Sequence, residues 1–198
     1  VYTFCCNILE ACKSKKIDDI IFVSRDAYYL NKYISKHKSL NSSYLHLNRS
    51  ICQKLENNKE IAHNYFKHLS KTKKYLLVDA ATNNYSAQRI LNKYGINTCG
   101  MYWLTGRVNK DLDYLTLNAL NQKNKNHSLY KYLEFLLSSP ENIIADIAVN
   151  DKYIKLIPKI ICNKDRYYQY AQKYIGIGID KYYKYHNQYL NKEYYYDA

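Results

Sequence analysis

No apolar run in the 198 residues approaches the roughly 20 needed to span a bilayer, so any membrane contact is expected to be peripheral. No signal peptide opens the chain. The six cysteines, at positions 5, 6, 12, 52, 99 and 162, include no CxxC pair and no repeated spacing. That argues against a zinc site and a disulfide framework; a reducing cytoplasm, or its membrane-facing edge, is the simpler home. Arginine is rare, with five against a combined Lys and Arg count of 30. Dedicated nucleic-acid binders use Arg forks and clustered basic patches. Neither is evident, so nucleic acid is not the expected partner despite a formal net charge of +13. Glycine, proline and alanine are also scarce beside abundant Lys, Asn, Ile and Tyr. AT-biased coding produces that profile and supplies much of the charge without selection for a polyanion. No initiator Met precedes Val1, and Thr3 to Ala11 already reads as the inside of a helix, so a piece of a longer polypeptide is expected.

What is present is a regular alternation. Continuous apolar runs fall at Ile20 to Ser24, Tyr44 to Asn48, Tyr75 to Ala80 and Thr98 to Trp103, as strands buried on both faces of a parallel sheet read. Between them, Leu30, Tyr33, Ile34 and His37 share a helical face, as do Ala62, Tyr65, Phe66 and Leu69, and Ala87, Ile90, Leu91 and Tyr94. This is the βαβ rhythm. The expected fold is therefore α/β, an open and mainly parallel sheet flanked by helices over residues 1–160. Gly106 to Lys125 is polar and reads as a long loop. Leu129 to Leu137 reads as an amphipathic helix stopped by Ser138-Ser139-Pro140, and Tyr153 to Ile157 as one more strand. Residues 161–198 are expected to be a helical extension, interrupted at Gly176 and Gly178 and packed on the sheet domain or on a neighbouring domain; its many tyrosines fit either such packing or biased coding.

In a doubly wound sheet, ligands bind beyond the carboxyl ends of the strands, which selects two segments. The first strand ends in Ser24-Arg25-Asp26: the cation suits an anionic group, and the carboxylate suits a hydroxyl or a metal. The plainer alternative is Asp26 as a helix N-cap. The third strand ends at Asp79 and is followed by Ala80-Ala81-Thr82-Asn83-Asn84-Tyr85-Ser86 and a helix. Hydroxyls and backbone amides at a helix N-terminus present a phosphate cradle. Asn84 or Ser86 as a simple cap is the alternative there.

Leu76-Leu77-Val78-Asp79 with its polar loop and helix resembles the PRPP-binding signature of type I phosphoribosyltransferases. Three further segments resemble the phosphoribosyltransferase-fold glycosyltransferase domains of bacterial capsule and O-antigen assembly proteins, often fused to HAD-like phosphatase domains. These are Ile20 to Tyr28, Ser43 to Ser50 with its Ser-Arg pattern, and Leu133-Glu134-Phe135 to Pro140. The likeness runs in order from Ile20 to about Tyr183. It departs from the pattern at Ala80, where a second acidic residue is expected, and at Ala27 and around Asn84-Tyr85, where glycine is usual. The resemblance implies transfer of a 5-phosphoribosyl group from PRPP to a sugar hydroxyl of a glycan acceptor during surface polysaccharide synthesis. It implies catalytic roles for Asp26, as base, and Asp79, holding the ribose hydroxyls. It also implies a 5-phosphate cradle of Thr82, Asn83, Asn84 and Ser86, with Arg25 facing pyrophosphate and Arg49 and Glu134 on the acceptor side. Mg2+ is the implied cofactor, because pyrophosphate leaves poorly until its charge is neutralised. Other domains of a larger assembly protein are the implied neighbours.

Asp111-Leu112-Asp113 is similar to the nucleophile motif of HAD phosphatases but lacks the preceding apolar strand. Gly176-Ile177-Gly178 lacks the third glycine of a dinucleotide fingerprint. The six histidines show no paired metal spacing. Two rivals to the transferase stay open: a HAD-like sugar-phosphate phosphatase built on Asp79 and Val23-Ser24, and a non-catalytic phosphosugar-binding module.

Overall fold

The computed structural model describes residues 2–37, 39–119, 135–140, 143–149, 153–160 and 162–190. Helix α1 (Tyr2–Lys15) leads into β1 (Asp19–Val23), α2 (Tyr28–Ile34) and β2 (Asn41–Leu45). Helices α3 (Arg49–Asn57) and α4 (Lys59–Phe66) then precede β3 (Lys74–Thr82), α5 (Ser86–Lys93), β4 (Asn97–Thr105) and β5 (Tyr114–Ala119). A hairpin of β6 (Ile144–Val149) and β7 (Ile154–Pro158) and a long helix, α6 (Asn163–Leu190), follow.

The first five strands form one sheet in the order β2-β1-β3-β4-β5, and every neighbouring pair in it is parallel. Side chains alternate across a strand, so each strand feeds two cores. Ile20, Phe22, Leu76 and Val78 pack with α1, α2 and Tyr183 of α6 on one face. Ile21, Val23, Tyr75 and Leu77 pack with α3, α4 and α5 on the other. Burial on both faces explains why these strands are unbroken apolar runs. The open parallel α/β sheet with a C-terminal helix is the architecture the alternating pattern predicts.

Four expectations need correction. The second strand covers Asn41–Leu45 rather than Tyr44 to Asn48, because Asn48 leaves the sheet to cap α3, its side chain accepting the Ile51 N–H at 3.0 Å. The segment read as a loop from Gly106 to Lys125 contains β5, an edge strand bonded to β4; its alternation of Leu with Thr and Asn lacks the apolar run of a central strand. Helix α6 runs through Gly176 and Gly178 without a break. The third strand does not end at Asp79 but runs on to Thr82, because Ala81 and Thr82 keep their pairing with Leu104 and Thr105 of β4. Of the helix expected over Leu129 to Leu137, residues 135–137 are described, and they are helical as expected.

The β6–β7 hairpin is antiparallel and sits outside the main sheet. Fully buried Ile147 anchors it in the core beneath α3 and α4, and Lys54 clamps it, donating to the Asp146 carboxylate at 2.8 Å and to the Ile147 carbonyl at 2.7 Å. Among the described residues no helix is long and apolar enough to cross a membrane.

Candidate functional site

The strand order reverses direction between β1 and β3. From β1 the chain moves outward to β2, then returns to place β3 on the other flank of β1. The loops leaving β1 and β3 diverge there and leave a crevice at the carboxyl edge of the sheet. A cavity of about 820 Å3 fills it, lined by Arg25 and Asp26 from the first tip and by Asp79, Thr82, Asn83, Asn84 and Ser86 from the third. Arg49, the first residue of α3, lines the same cavity. Of the site residues that the resemblance implies, only Glu134 is missing from this set, and it lies outside the described residues.

The simple capping roles do not apply. The cap position of α2 is Ala27, with no side-chain cap bond, while the Asp26 carboxylate accepts a 2.8 Å hydrogen bond from Ser138 Oγ. The cap position of α5 is Tyr85, likewise without a side-chain cap bond. Arg25 follows an apolar strand, and its Nε is buried with no hydrogen-bond partner among the described residues. Its guanidinium lies 5.8 Å from the centroid of the Tyr168 ring, a cation–π contact. A buried donor with no acceptor is costly, and an anion in the cavity would remove that cost. The Ser24–Arg25 peptide is cis.

The loop after β3 is braced from within. Thr82 Oγ1 accepts the Tyr85 N–H at 3.0 Å, and the Thr82 carbonyl accepts the Gly106 N–H at 3.0 Å. Tyr85 adopts the left-handed conformation, φ 53°, within the stretch where the family resemblance expects glycine. Its ring, 2% exposed, packs against Tyr102 and Tyr114, and its hydroxyl donates to the Arg107 carbonyl. Behind the loop, burial pushes the Cys52 thiol up to about 12, with a hydrogen bond to Ser86 and the Asp79 charge as smaller influences. Cys52 is thus a packing residue at neutral pH rather than a nucleophile. Ala80, at the position expected to carry a second acid, is fully buried and absent from the cavity lining, which leaves Asp79 as the one carboxylate of β3 there.

Sequence reasoning missed the remaining walls. Ile143, Ile144, Ala145 and Lys159 come from the hairpin, Ser138 from the turn after residues 135–137, and Tyr168 from α6. Asn48 and Ser50 fasten the hairpin over the cavity by donating to the Ile144 and Ala145 carbonyls. The Asp111-Leu112-Asp113 motif lies at the opposite, amino edge, where Asp113 pairs with Lys74 at 2.8 Å at the start of β3. It plays no part in the cavity. Among the described residues no cluster of three His, Cys, Asp or Glu side chains is arranged to hold a metal alone. Asp79 lines the cavity as a carboxylate, the donor type that Mg2+ takes singly or in pairs together with substrate phosphates.

No family model and no curated protein matches the chain. Solved structures with some similarity include a purine phosphoribosyltransferase from Pyrococcus horikoshii Ot3, at 10% identity over 61% of this chain and 82% of that one, TM-score 0.38. A hypothetical protein from Neisseria gonorrhoeae with bound ppGpp is 11% identical over 66% of this chain and 89% of its own, TM-score 0.38. A xanthine-guanine-hypoxanthine phosphoribosyltransferase from Helicobacter pylori is 13% identical over 66% and 95%, TM-score 0.34.

Proposed function

We propose that the chain transfers a 5-phosphoribosyl group from PRPP to a hydroxyl of a glycan acceptor, as a domain of a larger polysaccharide-assembly protein. The observation that carries this reading is the opening of the β1 and β3 tips into one cavity that holds Arg25, Asp26, Asp79 and the Thr82–Ser86 loop together. In the reaction the bond from ribose C1 to the pyrophosphate oxygen breaks, and a bond from C1 to the acceptor oxygen forms.

The Thr82 and Ser86 hydroxyls, the Asn83 and Asn84 amides and the first turn of α5 hold the 5-phosphate, with the helix dipole adding to the attraction. Asp79 accepts from the ribose hydroxyls and fixes the ring. Arg25, its Nε lacking a partner among the described residues, faces the departing pyrophosphate. Asp26 takes the proton from the acceptor hydroxyl, and Ser138 holds its carboxylate in place. Arg49 and the hairpin wall bound the acceptor side. Asp79, with the substrate phosphates, would hold Mg2+, which when bound neutralises pyrophosphate charge and makes it a better leaving group.

The test is incubation with PRPP, Mg2+ and a panel of sugar acceptors. Pyrophosphate release that depends on acceptor supports the transferase. Release of inorganic phosphate without acceptor would indicate a phosphatase and overturn it. Binding without turnover would favour the phosphosugar-binding module, a reading that buried Ala80 in place of a second acid supports.

A further inference from the structure

The rare arginines are not scattered. Arg25 and Arg49 line the main cavity, and Arg89 and Arg107 line a second cavity of about 190 Å3 on the other side of the Asn83–Asn84 loop. In a chain whose cations are overwhelmingly lysine, four of five arginines thus line cavities that share the Asn83–Asn84 loop as a wall. Arginine is the side chain whose planar fork matches phosphate oxygens two at a time. Both Arg89 and Arg107 are exposed, and among the described residues neither joins an ion pair. Glu56, the acidic residue that borders Arg89 in an adjoining hollow, is engaged by Lys93 at 3.7 Å.

Tyr85 touches the backbone of both arginine-bearing segments. Its hydroxyl donates to the Arg107 carbonyl, and its own carbonyl accepts the Arg89 N–H at 2.9 Å. The Tyr85 side chain thus braces the backbone at Arg107, a contact that a glycine could not make. Arg89 also stands near the amino end of α5, whose first turn carries no acidic residue. A cation beside the positive end of a helix dipole is unfavourable alone and becomes favourable once an anion sits between them.

We infer that Arg89 and Arg107, which line one cavity with Tyr85 between their segments, form a second phosphate-binding site, separated from the main cavity by the Asn83–Asn84 loop. Its ligand is a compact phosphate dianion, free or carried on a sugar. The inference is independent of the transferase reading, because the site shares the loop asparagines but none of the residues assigned to the reacting centre other than those two.

The test is calorimetric titration of the full chain with inorganic phosphate, pyrophosphate and ribose 5-phosphate. Two classes of site are expected. An R89A/R107A double variant should weaken one class at least about tenfold, as loss of charge-assisted hydrogen bonds predicts, and leave the other in place. R25A should do the converse. An R89K/R107K variant, keeping charge but losing the fork, should fall between native and alanine affinities. Tighter binding of ribose 5-phosphate than of inorganic phosphate at the affected class would mark a sugar-borne group, and the reverse ranking a free anion. Isotherms of R89A/R107A that superimpose on those of the native protein, with thermal unfolding unchanged, would overturn the site. Turnover is not read in this experiment, so its failure is distinct from failure of the transferase assignment.

Discussion

Ser138 Oγ donates a 2.8 Å hydrogen bond to Asp26 Oδ1, joining residues 112 positions apart in the chain. The next amide along, that of Ser139, donates to the Arg25 carbonyl at 3.2 Å. The Ser138-Ser139-Pro140 turn, which the sequence marks as a helix stop, is thus stitched to the tip of β1. It sets the direction of the Asp26 carboxylate. Ser138→Ala should lower acceptor-dependent turnover by roughly tenfold, the equivalent of one hydrogen bond to a charged group. Because the role is positional, the loss should fall on kcat more than on KM for PRPP, as initial-rate kinetics would reveal. A KM effect alone would argue that Ser138 touches the donor instead.

Asp79→Asn keeps the volume of the side chain while removing its charge. Asp79 lies within β3, next to the fully buried Leu76, Leu77 and Val78, and lines the cavity, so an isosteric change there is expected to leave the core packing in place. Turnover should fall by at least about 100-fold, the scale set by a positioned catalytic carboxylate, with the melting temperature nearly unchanged. Unaltered activity in a correctly folded variant would remove Asp79 from the reacting centre.

Tyr85 combines a costly backbone with a rewarding side chain. The left-handed conformation costs a non-glycine residue about 1 kcal/mol, while truncating a buried aromatic ring costs about 3–5 kcal/mol. Both Tyr85→Gly and Tyr85→Ala should therefore destabilise the protein, and the alanine variant should be the worse by about 1 kcal/mol. Urea unfolding of the pair measures this directly. Alanine equal to or better than glycine would contradict the φ of 53°.

The central strands were legible because Ile20 to Val23 and Tyr75 to Val78 are buried on both faces and so are written as unbroken apolar runs. The edge strand β5 was not, since Tyr114-Leu115-Thr116-Leu117 is half exposed and alternates as a loop with occasional leucines does. The tips carrying Arg25, Asp26, Asp79 and Thr82 to Ser86 were legible because chemistry at a strand end follows a topological rule. Lys159, Ser138 and Tyr168 were not, because tertiary docking brings them in from segments with no local pattern. Glycine in a helix carries two opposite meanings, a break or a close approach, and spacing alone cannot separate them.

Gly176 and Gly178 make that ambiguity measurable. A Cβ at Gly176 would meet the Tyr29 hydroxyl, with Tyr29 Cζ at 3.1 Å, whereas a Cβ at Gly178 meets nothing within 4 Å. Tyr29 is 2% exposed and part of the core beneath α6, so it has little room to yield. Gly178→Ala should stabilise the protein by about 0.5–1 kcal/mol through helix propensity. Gly176→Ala should destabilise it by about 1–3 kcal/mol through overpacking, despite the same propensity gain. Opposite signs in thermal melts are the expected result, and equal shifts would mean that α6 does not press on α2 at this point.

The same helix is held further along by a polar clamp whose strength depends on pH. Asp180 accepts from Lys32 Nζ at 2.7 Å and from the Tyr33 hydroxyl at 2.5 Å, while Tyr183 stacks on Tyr33 with ring centroids 3.6 Å apart. Partial burial pushes the Asp180 carboxyl up, but the hydrogen bonds from Lys32 and Tyr33 outweigh it and hold the group below its ordinary value of 3.8. A carboxyl lowered on folding adds stability above its unfolded value and loses that contribution as pH falls through the folded one. Asp180→Asn should therefore lower the melting temperature at pH 7, and the gap from the native protein should narrow as the pH drops below about 4. The clamp is partly open to water, which screens it, so the gap should also shrink as salt is raised. A difference that persists unchanged at pH 3 would assign the stabilisation to packing of Tyr33 on Tyr183 rather than to the charge on Asp180.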